Sequence, residues 1–191
     1  MFEQFWNAIL QFFRGQGKLK IDTSDKQART QAEILNLPAT ISLKPLKEVP
    51  WENSEQAEAY RHALDVEGLE HIGFFKVVET RGWFLDIYAD EQREFYAMII
   101  QVQRDLYLQI ITYYQDKSTY CVNDFDPKGT EYPTWQTVVS QPDTAPKKLL
   151  KSFLANRPTK PKKIVTAELV ADDFCKTYAR ETKWRKAQVA D

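Results

Sequence analysis

Two histidines, His62 and His71, lie near Glu67 and Glu70, and imidazole beside carboxylate is the raw material of proton transfer or of a zinc site. A helix end is expected between the two histidines, so they share no face and form no metal pair. Exposed or hydrogen-bonded histidines are the simpler reading. Asp124, Asp126 and Glu131 gather oxygen atoms around the DPKG turn, as a cation site would. Their spacing matches no calcium loop, and aspartate before proline is ordinary turn chemistry. Cys121 and Cys175 are far apart, and neither is flanked by a histidine that would activate a thiolate. They read as free thiols of a reducing compartment. Gly68, Gly73 and Gly82 are scattered singly, so no loop cradles a phosphate, and no serine stands in a nucleophile elbow. The sequence assigns no catalytic residue, metal or cofactor.

Three features carry binding chemistry instead. Phe2, Phe5, Trp6, Ile9, Leu10 and Phe13 recur at helical spacing, and Gly15 and Gly17 end the run. So short a helix is marginal alone, and its aromatic stripe must rest on its own domain, a protein partner or a membrane surface. Its polar face is not basic, which weakens the membrane reading. Lys147, Lys148, Lys151, Arg157, Lys160, Lys162 and Lys163 form a basic stretch with no acid between Asp143 and Glu168. Such a stretch attracts nucleic acid or anionic lipid, or is a solvated face. Only Phe153 interleaves it, which argues against single-stranded nucleic acid. Trp83, Tyr88, Tyr96, Tyr107, Tyr113, Tyr114 and Tyr120 are too many to be buried together with satisfied hydroxyls. They suggest an aromatic sheet face open to ligands or peptides, unless they are core and cross-strand pairs.

The elements that must position these residues are strands. Residues 73–79, 83–88, 95–102, 106–114 and 119–125 are rich in Phe, Tyr, Trp, Ile and Val and are parted by short polar breaks. Such short connections join antiparallel neighbours. The runs 95–102 and 106–114 are the most apolar and belong at the centre, the first and last at the edges; residues 134–139 suggest a sixth strand. A helix over 53–68 precedes the meander, and helices over 145–156 and from 166 or 167 to about 186 follow it. The predicted fold is α+β: an antiparallel meander of five or six strands with helices from both termini packed on it. The predicted organisation is an amphipathic helix over 1–17, a linker or extended segment over 18–52 in which residues 24–37 read equally as a helix or a tether, and a globular domain over 53–191.

Composition bounds the function. With 26 basic and 27 acidic residues the net charge is −1, so no whole-protein field favours nucleic acid. No run approaches the roughly eighteen apolar residues a bilayer span requires, and Glu3 stands where a secretory signal would be basic. The expected location is the cytoplasm, with peripheral contact to a membrane as an extension. Three readings follow. The first is a non-enzymatic adaptor docking a protein partner or membrane through its N-terminal helix or aromatic sheet face. The second is a small-ligand protein or enzyme using His62, His71 or Asp124 on that face. The third is a binder of nucleic acid or anionic lipid through residues 147–163.

Overall fold

The computed structural model describes residues 34–125 and 131–190. Along them run β1 (Leu43–Leu46), α1 (Ser54–Val66), β2 (Glu70–Val77), β3 (Trp83–Ala89), β4 (Tyr96–Val102), β5 (Asp105–Tyr113), β6 (Thr119–Asn123), β7 (Gln136–Ser140), α2 (Pro146–Asn156) and α3 (Ala167–Ala190). The strands form one seven-stranded sheet in chain order. Neighbours from β1 to β6 are antiparallel, as their short connections require. The chain is α+β, with a mostly antiparallel sheet and β4 at its centre.

The sheet is larger than the sequence suggests, and its edges differ. β1 comes from the proline-marked segment and pairs Leu43 with Val77 and Leu46 with Phe74. Four residues show too little alternation to announce a strand, and Pro45 is tolerated because β1 is an edge. β7 pairs in parallel with β6, so β6 is interior. Residues 124–135 supply the dozen-residue return that a parallel pairing needs. Residues 37–49 also contribute Leu37, Ile41 and Val49 to the core. The aromatic stripe of residues 2–13 and most of the segment 24–37 fall outside the described residues.

Alternation divides the strand side chains between two buried layers. Leu85, Ile87, Met98, Ile100, Ile111 and Cys121 meet Val170 and Tyr178 of α3. Ala97, Ile99, Leu108, Ile110 and Val122 meet Tyr60 and Leu64 of α1 and Leu149, Leu150 and Phe153 of α2. Burial on both faces explains why β3 and β4 read as almost continuous apolar runs. It also corrects the expectation of an aromatic-lined open face, because none of the seven aromatics exceeds 7 % exposure. Two layers, not one, absorb them. Their hydroxyls find partners across the layers: Tyr96 donates to the Val165 carbonyl, and Tyr114 to the Pro158 carbonyl at 3.1 Å.

The helices begin where local chemistry directs. The Asn53 side chain accepts from the Gln56 amide at 3.1 Å and caps α1. Pro146 opens α2 at a position where its missing N–H is harmless. Phe153 is fully buried, its ring centre 5.2 Å from that of Phe95 and 5.7 Å from that of Tyr120. Phe153→Ala should therefore lower the unfolding free energy by about 3–5 kcal/mol in urea titrations. A loss below about 1 kcal/mol would show that α2 is not docked as described.

A candidate site around Asp86

β3 reads WFLDIYA, and the aspartate at its centre is the only charged residue in the strand. Its register sets Asp86 beside Phe74 of β2 and Ile99 of β4, on the face that carries α1. The side chain is fully buried. An isolated carboxylate there is expensive, so partners must hold it.

His71 reaches the same face through a β-bulge. Regular alternation would put His71 and Phe74 on opposite faces. The register shifts between His71 and Gly73, so His71 pairs with Tyr88 while Phe74 pairs with Asp86. Gly73 absorbs the irregularity at φ 156°, which L side chains rarely adopt. The His71 Nε2 then stands 2.8 Å from Asp86 Oδ1, and Arg61 Nε from α1 stands 3.5 Å from Oδ2. These are ion-pair distances without the alignment of hydrogen bonds. The Tyr88 hydroxyl is close enough to influence both Arg61 and Asp86. Arg61 also meets Glu58 at 2.6 Å, and its guanidinium lies 5.3 Å from the centre of the Phe74 ring.

Burial pushes the Asp86 carboxyl up to about 7; Arg61 opposes the rise, and Asp65 and Glu58 add to it. His71 is held below the usual histidine range, by burial first and then by the Arg61 charge. A carboxylate at 2.8 Å would ordinarily raise a histidine. Asp86 is itself substantially protonated near neutrality, so it lends His71 little negative charge, and the two directions agree. Exposure divides the roles. The His71 and Arg61 side chains are 39 % and 32 % exposed, whereas Asp86 is sealed. An incoming group meets imidazole and guanidinium, and the carboxyl behind them sets their positions.

The surface around this cluster is the less covered half of the face. Phe74 and Phe84 are half-buried. Lys44 of β1 and Lys76 of β2 are direct register partners, in the same row as Phe84. Like charges so placed repel, and no carboxylate of the described residues lies within ion-pair distance of either. Two clefts of about 520 and 740 Å³ open at this end of the sheet, and Pro50, Gly82 and Phe84 line both.

The structure places the sequence candidates apart. His62 is exposed on α1 and does not join His71. Asp124 accepts from the Tyr60 hydroxyl and, at 2.9 Å, from the Leu108 amide, which ties α1 to the end of β6. Glu131 is exposed, and Asp126 lies outside the described residues. Among the described residues no group of three or more His, Cys, Asp or Glu could hold a metal ion, and no helix is long and apolar enough to cross a membrane. Cys121 is buried and free, and Cys175 is free and half-buried.

Five of the seven basic-stretch residues have carboxylate partners. Lys147 meets Glu67 at 2.9 Å, Lys160 meets Asp116 at 3.0 Å, and Lys163 meets Asp173 at 2.6 Å. Arg157 and Lys162 share Glu94, at 3.1 and 2.7 Å. Lys148 and Lys151 remain exposed on α2. Arg61 and Asp86 went unnoticed in the sequence. The available signal was an aspartate between Leu85 and Ile87, where a charge has no place unless something holds it. Comparison with protein-family models, curated proteins and solved structures found no match.

The raised Asp86 pKa has a signed consequence. Between the unfolded value near 4 and the folded value near 7, the folded state binds more protons, so this group lowers stability as pH rises through that window. Asp86→Asn removes the titration. Its stability relative to wild type should therefore improve by about 1–3 kcal/mol from pH 4.5 to pH 8 in urea titrations. A constant difference, or one of opposite sign, would contradict the raised pKa.

Proposed function

We propose that this chain is a non-enzymatic adaptor that docks a partner protein on the β1–β3 half of the face beside α1, and that the partner presents an acidic segment. The observation that carries this reading is the Lys44–Lys76 row, which meets no carboxylate of the described residues, lying next to the Arg61–His71 pair. Among the described residues Lys44 and Lys76 meet no carboxylate, Arg61 is paired with Glu58 at the rim, and the one carboxyl beneath the patch is buried and substantially protonated. Half-buried Phe74 and Phe84 supply apolar contact between the charges. Complementary charge steers encounter and selects the partner, and the aromatic rings contribute the desolvated centre. The stripe of Phe2, Phe5, Trp6, Ile9, Leu10 and Phe13 belongs to the same proposal as a second contact, on sequence grounds alone.

A photo-crosslinking residue at position 74 should capture a discrete partner in cells, with a control crosslinker at exposed Lys183 capturing none. Lys44→Glu with Lys76→Glu should reduce that capture about tenfold or more, since like-charge juxtaposition costs several kcal/mol. Removing residues 1–17 should reduce it further without altering the far-ultraviolet circular dichroism of the sheet. Capture that ignores the charge reversals would overturn the docking face. Vesicle flotation by the full chain that is lost with residues 1–17 would assign the stripe to a membrane surface instead.

A further inference from the structure

The opposite face of the sheet holds a second and independent site, at the tip of the β5–β6 hairpin. There a groove of about 370 Å³ is lined by Tyr113 and Tyr114 of the hairpin, by Trp135, and by Asp173, Thr177 and Arg180 of α3, among others. Its volume lies in the range of small-molecule pockets, and three of its lining residues are aromatic, with Trp135 the most exposed of them. Four cations line it, Lys117, Lys163, Lys176 and Arg180, against one carboxylate, Asp173. Two are already committed, Lys163 to Asp173 at 2.6 Å and Lys176 to Asp172.

Arg180 is not committed. Its guanidinium stacks 3.9 Å from the centre of the Trp135 ring and donates through Nη1 to the Lys117 carbonyl at 2.7 Å. No carboxylate of the described residues lies within ion-pair distance. A guanidinium held by a ring and a carbonyl has lost its rotational freedom in advance, and its remaining N–H groups still suit a carboxylate or phosphate. A second, unrelated observation points into the same groove. Thr119 is only 4 % exposed, and its hydroxyl is buried with no hydrogen-bond partner. Buried hydroxyls are almost always satisfied, and one left over beside a cationic groove is suited to a ligand oxygen.

We infer that this groove binds a small planar aromatic molecule bearing one acidic group, a carboxylate or a phosphate monoester. The ring lies against Trp135 beside Tyr113, Arg180 receives the anion, and the Thr119 hydroxyl donates to an oxygen. The site is on the α3 face, away from the β1–β3 surface, so it stands or falls apart from the docking proposal.

The test is nuclear magnetic resonance titration of the full chain with salicylate, 1-naphthyl phosphate and the neutral salicylamide, following the Trp135 indole N–H and the Arg180 Nε–H. The two anions should give saturable shifts at those signals, with salicylamide at least about tenfold weaker. Arg180→Gln, an exposed position, should weaken the anions about tenfold, as expected for loss of a charge-assisted hydrogen bond. Thr119→Val, which preserves shape, should weaken them by a smaller factor while leaving the circular dichroism unchanged. A carboxylate-only or phosphate-only response would identify the acidic group. Absence of saturable shifts at millimolar ligand, equal binding by salicylamide, or binding unaffected by Arg180→Gln would overturn the assignment.

Discussion

Everything in this fold follows from a sheet that is covered on both faces. With α3 on one side and α1 and α2 on the other, β4 and most of β3 and β5 have no solvent side on which to place a polar group, and only Phe84 of β3 is half-buried. Each side chain in them must be apolar or must carry its partner with it, because an unsatisfied polar group in such a place costs free energy of the order of 1–3 kcal/mol. The tyrosines comply by crossing layers to reach carbonyls. Asp86 complies only in part. It is held by two side chains at ion-pair distance, neither aligned as a hydrogen bond, and burial leaves its carboxyl protonated to an unusual degree. A core built for stability alone would place an isostere there. The gain from keeping a carboxyl is the fixed position of Arg61 and His71 above it.

The remaining charges mostly serve assembly. The connector between α2 and α3 is fastened to the sheet by cations that meet acids from distant turns. Glu94 is the clearest case. Lys162 first, and Arg157 with it, hold its carboxyl below the usual range. The Lys163 amide donates to the Tyr113 carbonyl at 2.8 Å, and the Gln115 amide to the Pro161 carbonyl at 3.0 Å, so backbone bonds reinforce the same seam. Partly exposed pairs of this kind contribute little individually. Here they neutralise a stretch that looks strongly cationic when read along the chain.

The legible part of this architecture was the part governed by local pattern. The five strand runs, the helix capped by Asn53 and the two C-terminal helices are close to where apolar spacing and turn residues put them, because each is long enough to show its period. β1 and the parallel pairing of β7 were hidden, since both depend on partners far along the chain and neither segment alternates for long. The edges were misplaced for the same reason. Periodicity also says which residues are apolar but not how many layers will cover them, so the aromatics seemed surplus to a one-sided sheet. The candidate site was half legible. His71 stood out by its type, whereas its approach to Asp86 depends on a one-residue bulge at Gly73 that no spacing rule reveals. Arg61 was one arginine among many until α1 was laid across β3. The cationic stretch was misleading because its counter-ions lie elsewhere, at Glu67, Glu94, Asp116 and Asp173.

The central claim is that Asp86 is a buried carboxyl, substantially protonated near neutrality, that sets the position of two solvent-reaching groups. The most direct measurement is the carbon-13 chemical shift of its side-chain carboxyl followed through a pH titration of the intact protein. The account predicts a midpoint near 7, with the His71 ring signals perturbed through the same step. A midpoint near the ordinary aspartate value of about 4 would contradict it. The charges of Arg61 and His71 would then offset burial in full, and Asp86 would be an ionised salt-bridge partner rather than a protonated anchor.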